Sequence, residues 1–344
     1  MSLYANYDEA LAQLAPCGPD LTNGLTSHMP MVVEALCRMG CGDMAGPWVH
    51  ARLDSAAAHP PAKSVLHDGN WQGYLGKPDH FTGWRNFFAA EVGAMELREL
   101  LDKWVPRLAP GYAGAATHGI LRAAHAARAM TDHDTPQRRD ELAQGLAYWA
   151  ATYLPLPESD PAGVTAKPLD DALDAIPLVP LDERQNNGSI VMALIVLGAR
   201  PDFAPLIHTL DMGDDHRATC LDMVEALGPV FLAQAVDPLS TIVFTHGITS
   251  LMASHFLCGQ ISRKSGQKLI RYGWQAVAGL YACYADPALE RHDPAPERTE
   301  DIIEAAIIHG DDHVIKLSEA CINFDGLRPN PLFKAIPSLA RTHL

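Results

Sequence analysis

Four histidines from distant parts of the chain stand at or in apolar stretches that are predicted to be helical. Two belong to one tetrapeptide, Thr-His-Gly-Ile, which occurs at 117–120 and again at 245–248. The other two stand in Ser-His-Met-Pro-Met and Asp-His-Val-Ile-Lys. Neutral imidazole binds iron, zinc, copper and nickel. One such histidine alone is more often a core residue, but the group predicts a buried metal centre. The candidate ligands are His28, His118, His246 and His313.

Lys316 lies three residues after His313 and shares its predicted helical face with apolar side chains. Gly310 interrupts any helix that enters this region, and Asp311 is suited to cap a new helix there. A lysine on an apolar face is costly unless its charge is paired or removed. The residues alone leave two possibilities open. Either Lys316 pairs with Glu319 or reaches solvent, or its charge is removed for a role at the site.

Composition narrows the class of protein. The chain has 344 residues, of which 48% are hydrophobic and 19% charged, and its net charge is -15. That charge disfavours binding to nucleic acid and to anionic membranes. No apolar run of about 18 residues and no signal peptide is recognisable, so we expect a cytoplasmic protein without a membrane segment. The seven scattered cysteines suit reduced thiols. The sequence does not indicate the oligomeric state.

Apolar spacings of three and four residues recur along the chain, whereas alternating strand patterns are rare. We therefore predict an all-α fold and one domain over 1–344. It would have two helical halves, 1–154 and 188–344, around the buried metal site. A proline-rich connector, 155–187, joins them, and similar segments in the two halves suggest a possible duplication. The predicted helices are at about 30–38, 84–108, 115–131, 138–153, 170–176, 188–198, 215–235, 239–258, 266–285, 300–309 and 312–322.

Short motifs ordered along nearly the whole chain resemble the questin oxidase-like family. They are Ser-His-Met-Pro-Met at 27–31, Tyr-Leu-Gly at 74–76, His-Gly-Ile-Leu-Arg at 118–122, Phe-Thr-His-Gly-Ile-Thr at 244–249 and Asp-His-Val-Ile-Lys-Leu at 312–317. The resemblance implies an all-α oxidoreductase that oxidises and opens rings of anthraquinone-like compounds with O2. Because this chain is shorter than the fungal members, we expect a different substrate.

The same resemblance implies a set of site residues. Non-haem Fe(II) would be held by the four histidines and by a carboxylated lysine, Lys316. NADPH would act as an external reductant. The catalytic candidate is Arg122, whose guanidinium could pair with a substrate oxyanion.

Two alternatives remain from the sequence. An all-α metal-dependent phosphohydrolase would use Asp132, His133, Asp134 and the pair Asp312-His313, because such sites need carboxylates that balance the metal charge. A non-catalytic helical scaffold would instead disperse the four histidines more than about 10 Å apart, which is too far for shared metal bonds of about 2 Å.

Overall fold

Helices dominate the computed structural model, which describes residues 3–4, 6–184 and 188–344, and the predicted all-α class is confirmed. Within those residues a small antiparallel sheet pairs β1 (Cys17–Leu21) with β2 (Ala56–Ala58). The helices are α1 Tyr7–Leu14, α2 Met29–Arg38, α3 Ala45–His50, α4 Phe81–Ala94, α5 Leu97–Leu108, α6 His118–Asp132, α7 Pro136–Ala151, α8 Leu169–Asp174, α9 Ile190–Val196, α10 His216–Gln234, α11 Pro238–Cys258, α12 Arg263–Tyr284, α13 Thr299–His309, α14 Asp312–Leu327 and α15 Pro331–His343.

Side-chain caps explain where several of these helices begin. The Asp237 carboxylate accepts the backbone N–H of Ser240 at the start of α11, with a proline at the first helical position. The Asp311 carboxylate accepts the N–H groups of His313 and Val314, so the predicted fresh helix begins there. Gly310 has φ +75° and ends α13. Because of this break, α13 and α14 are separate helices, and α14 buries a face of its own that includes Lys316 and Leu317.

Some predicted boundaries are wrong. The single helix expected over 84–108 is two helices, because Met95 and Glu96 are extended between α4 and α5. Three helices, α1, α3 and α15, escaped prediction. Two of them are short, and α15 contains Pro337 in its interior, which obscures the helical pattern. In the connector, α8 lies near the expected position, and 185–187 fall outside the described residues.

Four helices pack around a common centre. α2 contacts α6, α6 contacts α11, α11 contacts α14, and α14 contacts α2 again. The first two belong to the predicted N-terminal half and the others to the C-terminal half. The ring of contacts thus brings together segments that are more than 200 residues apart in sequence.

The helix α11 is long and apolar enough to cross a membrane by length and composition. However, 83% of its most apolar stretch is buried inside the protein, and it packs on α6, α10, α12 and α14. Burial of that kind is typical of a core helix, which needs an apolar surface on all sides.

Candidate metal centre

The side chains of His28, His118, His246 and His313 form one cluster, called here the histidine cluster. The His118 ring lies 4.6 Å from the His28 ring and 4.5 Å from the His246 ring, measured between centroids. The His313 ring lies 4.6 Å from that of His28 and 5.4 Å from that of His246. Each of the four packed helices, α2, α6, α11 and α14, therefore contributes one imidazole, that of His28 from the residue just before α2.

The spacing of the ring nitrogens suits a shared ion. One nitrogen of each of His28, His118 and His313 lies within 4.8 Å of the others. Two nitrogens that each bind a metal at about 2 Å are separated by at most about 4 Å. Only a small inward movement separates this arrangement from metal coordination.

An oxygen atom lies beside the Nδ1 atom of three of the four rings. The Nδ1 atom of His118 donates to the backbone oxygen of Ala115 over 2.5 Å. The Nδ1 of His28 lies 3.4 Å from Asp312 Oδ2, and that of His313 lies 3.7 Å from Asp311 Oδ1. The hydrogen bond holds the proton of His118 at Nδ1, so its lone pair is at Nε2, and the carboxylates favour the same tautomer of His28 and His313. This is the arrangement by which metal-binding histidines are usually oriented.

Several buried polar atoms at the cluster have no hydrogen-bond partner within the described residues. Buried polar atoms are almost always satisfied, so a local group of unsatisfied ones indicates a missing ligand. These nitrogen donors suit a transition metal, which would satisfy the imidazoles directly. The atoms are His118 Nε2, His246 Nδ1 and Nε2, Lys316 Nζ, Thr117 Oγ1 and Thr245 Oγ1.

Burial keeps the histidines neutral. It lowers the pKa of His28, His118 and His246 well below the ordinary histidine value, and the nearby Lys316 ammonium lowers all three further. Burial also lowers the pKa of His313, although Asp311 opposes this effect. Neutral imidazole is the form that binds metals, so the cluster is ready to bind an ion without first losing protons.

Lys316 is buried beside the histidines, with only 2% of its surface exposed. Its expected alternative partner, Glu319, instead lies 3.1 Å from Arg128 Nη1, so neither pairing with Glu319 nor solvent exposure accounts for the lysine. Burial lowers the pKa of Lys316 to about 8, against the opposing effect of Asp312 and Asp311. At pH 7 about one-tenth of the amine is thus neutral, which is far more than for an ordinary lysine with a pKa of about 10.4.

The backbone before His118 is strained. Ala115, Ala116 and Thr117 have φ values of 47°, 54° and 73°, in the left-handed region that non-glycine residues avoid. This run turns the chain into α6 and aims the Ala115 carbonyl at the His118 ring. Strain of this kind is typical of functional sites, where the surrounding structure holds it in place.

Glycine at Ala115 should therefore stabilise the protein. Ala115→Gly is expected to raise the free energy of unfolding by roughly 0.5–1 kcal/mol, because relief of the left-handed strain exceeds the added entropy of the unfolded chain. Ala90→Gly, at an exposed interior position of α4, is the control and should lower it by about 1 kcal/mol. Urea denaturation measures both. Equal losses of unfolding free energy in the two variants would contradict backbone strain at Ala115.

The two Thr-His-Gly-Ile copies differ in position. His118 is the first residue of α6, whereas His246 lies in the interior of α11, as the helix predicted over 239–258 implies. Both glycines lie at helix contacts. A Cβ on Gly119 would come within 2.6 Å of Trp149, and one on Gly247 within 3.1 Å of Leu227. In both copies the glycine allows a close helix contact next to a histidine of the cluster, and the duplication remains a prediction.

A buried set of charges, called here the charge network, ties three ligand-bearing helices together. Glu34 on α2 accepts hydrogen bonds from His125 Nδ1 at 2.7 Å and from Arg128 Nε at 2.8 Å, both on α6. Arg128 in turn reaches Glu319 on α14. The sequence showed Glu34 only as a polar interruption in an apolar helix. Its opposite charge lies 94 positions away, which no local pattern reveals.

Arg122 is buried and already engaged. Its Nε and Nη2 bind the two Glu141 oxygens at 2.7 and 2.8 Å, and Nη2 also donates to Gln144. Only Nη1 has no partner among the described residues. The predicted contact with a substrate oxyanion would thus depend on that single nitrogen, and its role remains a prediction.

The carboxylates required by the phosphohydrolase alternative are occupied elsewhere. Asp132 and Asp134 are exposed and pair with Arg138 and Arg139. His133 between them is exposed as well. Of the residues proposed for that chemistry, only Asp312 and His313 lie at the cluster. The dispersed histidines expected of an inert scaffold are not observed.

Comparison with known protein families identifies a match that covers most of the chain. A family model described as questin oxidase-like matches residues 48–321, which is most of the chain. The matched region contains three histidines of the cluster and Lys316, while His28 lies before it. No curated protein matches the chain. The family match therefore does not reach His28, whose place in the cluster is shown by the contacts of its ring with His118 and His313.

Proposed function

The chain belongs to the questin oxidase-like family, and from this we propose that it is a non-haem iron oxygenase that uses O2 to oxidise and open a ring of a polycyclic aromatic compound. Family membership supports an oxidase acting on aromatic polyketide-type substrates. Iron, ring opening and a polycyclic aromatic substrate go beyond family membership and belong to this proposal.

One observation carries the proposal, namely the four neutral imidazoles that converge beside an unpaired, buried lysine. His28, His118, His246 and His313 would hold the ion by nitrogen, a donor that suits iron. Iron(II) in such a site would supply the redox chemistry that allows O2 to oxidise an aromatic ring. NADPH enters only as an external reductant. Asp311 and Asp312 would orient two of the rings and balance part of the metal charge.

Lys316 would complete the site as a carbamate. Its neutral amine forms a nitrogen–carbon bond with CO2 and releases one proton, which leaves an anionic carboxylate in place of a cation. That change turns a charge that repels a metal into an oxygen ligand. A small cavity between α6, α11 and α14 has Lys316, Thr249 and Ala320 in its wall.

The surroundings of the cluster limit water. His118, His246 and Lys316 are each at most 6% exposed, whereas the His313 side chain is 13% exposed and is the most open member. We infer that the substrate approaches from the His313 side. There Arg52 covers the turn before α14, with Nη2 donating to the Gly310 oxygen at 2.8 Å.

An activity measurement tests the proposal. Protein reconstituted with Fe(II) without air should contain about one iron per chain and should consume O2 only when a polycyclic phenol is present. Elemental analysis and an oxygen electrode give the two readings, and loss of the phenol absorption band reports ring opening. Release of phosphate from esters without O2 uptake would instead favour the phosphohydrolase.

Exposed His133 provides the matched control for this experiment. His133→Ala removes one imidazole from the surface and should leave both iron content and O2 uptake unchanged. Equal losses in His133→Ala and in a variant of the histidine cluster would show that the effect comes from general histidine loss, against our proposal.

A further inference from the structure

Five basic side chains line a cleft between α5 and α12, called here the basic cleft. It encloses about 650 Å³, within the range of small-molecule sites. Such a concentration of cations is unusual for a chain whose net charge is -15 and which has 26 lysines and arginines in total. The basic residues are Lys103 and Arg107 on α5 and Lys264, Lys268 and Arg271 on α12.

Most of these cations have no charged partner. Among the described residues, only Lys103 forms an ion pair, with Glu91. The Nε atom of Arg271 is buried and has no hydrogen-bond partner in that part of the chain. Arg107 lies over the Trp104 ring at 4.8 Å, which fixes its position without neutralising it.

The two carboxylates of the basic cleft are committed to other groups. Asp102 Oδ1 accepts the backbone N–H of Ser262 at 2.8 Å. Glu158 Oε1 accepts the hydroxyl of Tyr272 at 2.9 Å. Neither approaches a cleft lysine or arginine within ion-pair distance. Because five cations outnumber these two carboxylates, the cleft keeps a net positive charge for a ligand.

The spacing of the cations opposes the stability of the free protein. Lys264, Lys268 and Arg271 are four and three residues apart and share one face of α12, and such like-charged neighbours repel each other. Lys264 also lies in the first turn of the helix, where a cation is disfavoured by the helix dipole. A bound anion would remove both costs. Because both walls are cationic, it should carry at least two negative charges.

We propose that the basic cleft binds the di- or triphosphate group of a small molecule. Arginine forms paired hydrogen bonds with phosphate oxygens, and lysine adds point charges, so this mixture suits phosphate better than an apolar ligand. The site is separate from the histidine cluster, shares no residue with it and does not depend on the proposed oxygenase activity.

Calorimetric titration tests this proposal with pyrophosphate and, separately, ATP as probes. Pyrophosphate should bind saturably, and Lys264→Gln, Lys268→Gln and Arg271→Gln should each raise its Kd by about tenfold. Lys264 and Lys268 are exposed, so their variants should fold even if Arg271→Gln does not. Binding should weaken as salt concentration rises.

Two controls distinguish binding in the basic cleft from binding elsewhere on the protein. Lys63→Gln removes an exposed positive charge that does not line the basic cleft, so it should leave the Kd for pyrophosphate unchanged. Pyrophosphate chelates metals, so His246→Ala should retain its binding if the basic cleft is the site. ATP binding tighter than pyrophosphate identifies a nucleotide as the source, and equal binding identifies the inorganic anion. Absence of saturable binding, equal effects in Lys63→Gln, or binding of poly-glutamate alone would overturn the proposal.

Discussion

His246→Ala is expected to remove the bound metal almost completely. Both ring nitrogens of His246 are buried and have no hydrogen-bond partner among the described residues. The substitution therefore breaks no hydrogen bond of the metal-free protein, and its main effect should be on metal binding. Loss of one ligand should raise the metal Kd by at least about a hundredfold, which exceeds the tenfold to hundredfold effect of changing the groups behind a ligand. Iron titration under argon, followed by elemental analysis, measures the change.

Stability of the metal-free protein distinguishes ligand loss from unfolding. Alanine at position 246 creates a cavity, but it also removes two unsatisfied polar atoms whose burial costs about 1–3 kcal/mol each. The metal-free variant should thus unfold within about 2 kcal/mol of the metal-free parent. The parent should gain stability when iron is added, and the variant should not. Equal stabilisation of both by iron would contradict the assignment of His246.

The sequence predicted the fold class and the histidine cluster because both depend on local chemistry that persists in the fold. Apolar periodicity marks helices, and a histidine that interrupts such a pattern is visible in one dimension. The ring of helices and the pairing of Glu34 with Arg128 arise from tertiary contacts, which have no local signature. The structure also separated the two Thr-His-Gly-Ile copies, since identical residues can stand at the start of one helix and inside another.

The surroundings of Lys316 also depend on tertiary contacts that the sequence could not predict. The sequence offered Glu319 as a partner at the helical spacing of three residues. In the structure Arg128, from a different helix, takes that carboxylate at 3.1 Å. A charge that could have been paired within its own helix is therefore left unpaired by a competitor distant in sequence.

Glu34→Gln is expected to cause the largest loss of stability. Glu34 is fully buried and accepts hydrogen bonds from Tyr4, His125 and Arg128. Glutamine keeps the size but loses the charge, and its NH2 group meets donors where the carboxylate accepted. Breaking a buried ion pair by removal of one partner costs about 3–5 kcal/mol. Urea denaturation should show this loss.

An exposed pair provides the control for Glu34→Gln. Arg139 binds both Asp134 oxygens at 2.6 Å, but both side chains are almost half exposed. Asp134→Asn should therefore cost at most about 1 kcal/mol, since water and salt screen an exposed pair. Similar losses of unfolding free energy in the two variants would show that burial does not determine how much the Glu34 interactions stabilise the protein.

The pH dependence of Glu34→Gln gives a second, independent test. Burial alone would raise the pKa of Glu34, but Arg128 and His125 hold it well below its usual range. A carboxyl with a lowered pKa stabilises the fold above its unfolded pKa of about 4.3, and that stabilisation is lost as pH falls toward the folded value. The free energy of unfolding of the parent should thus fall more steeply below about pH 5 than that of the variant. Parallel curves would mean that Glu34 is not the ionised centre of the charge network. The difference should be greatest at neutral pH and shrink in acid, because protonation removes from the parent the charge that glutamine already lacks.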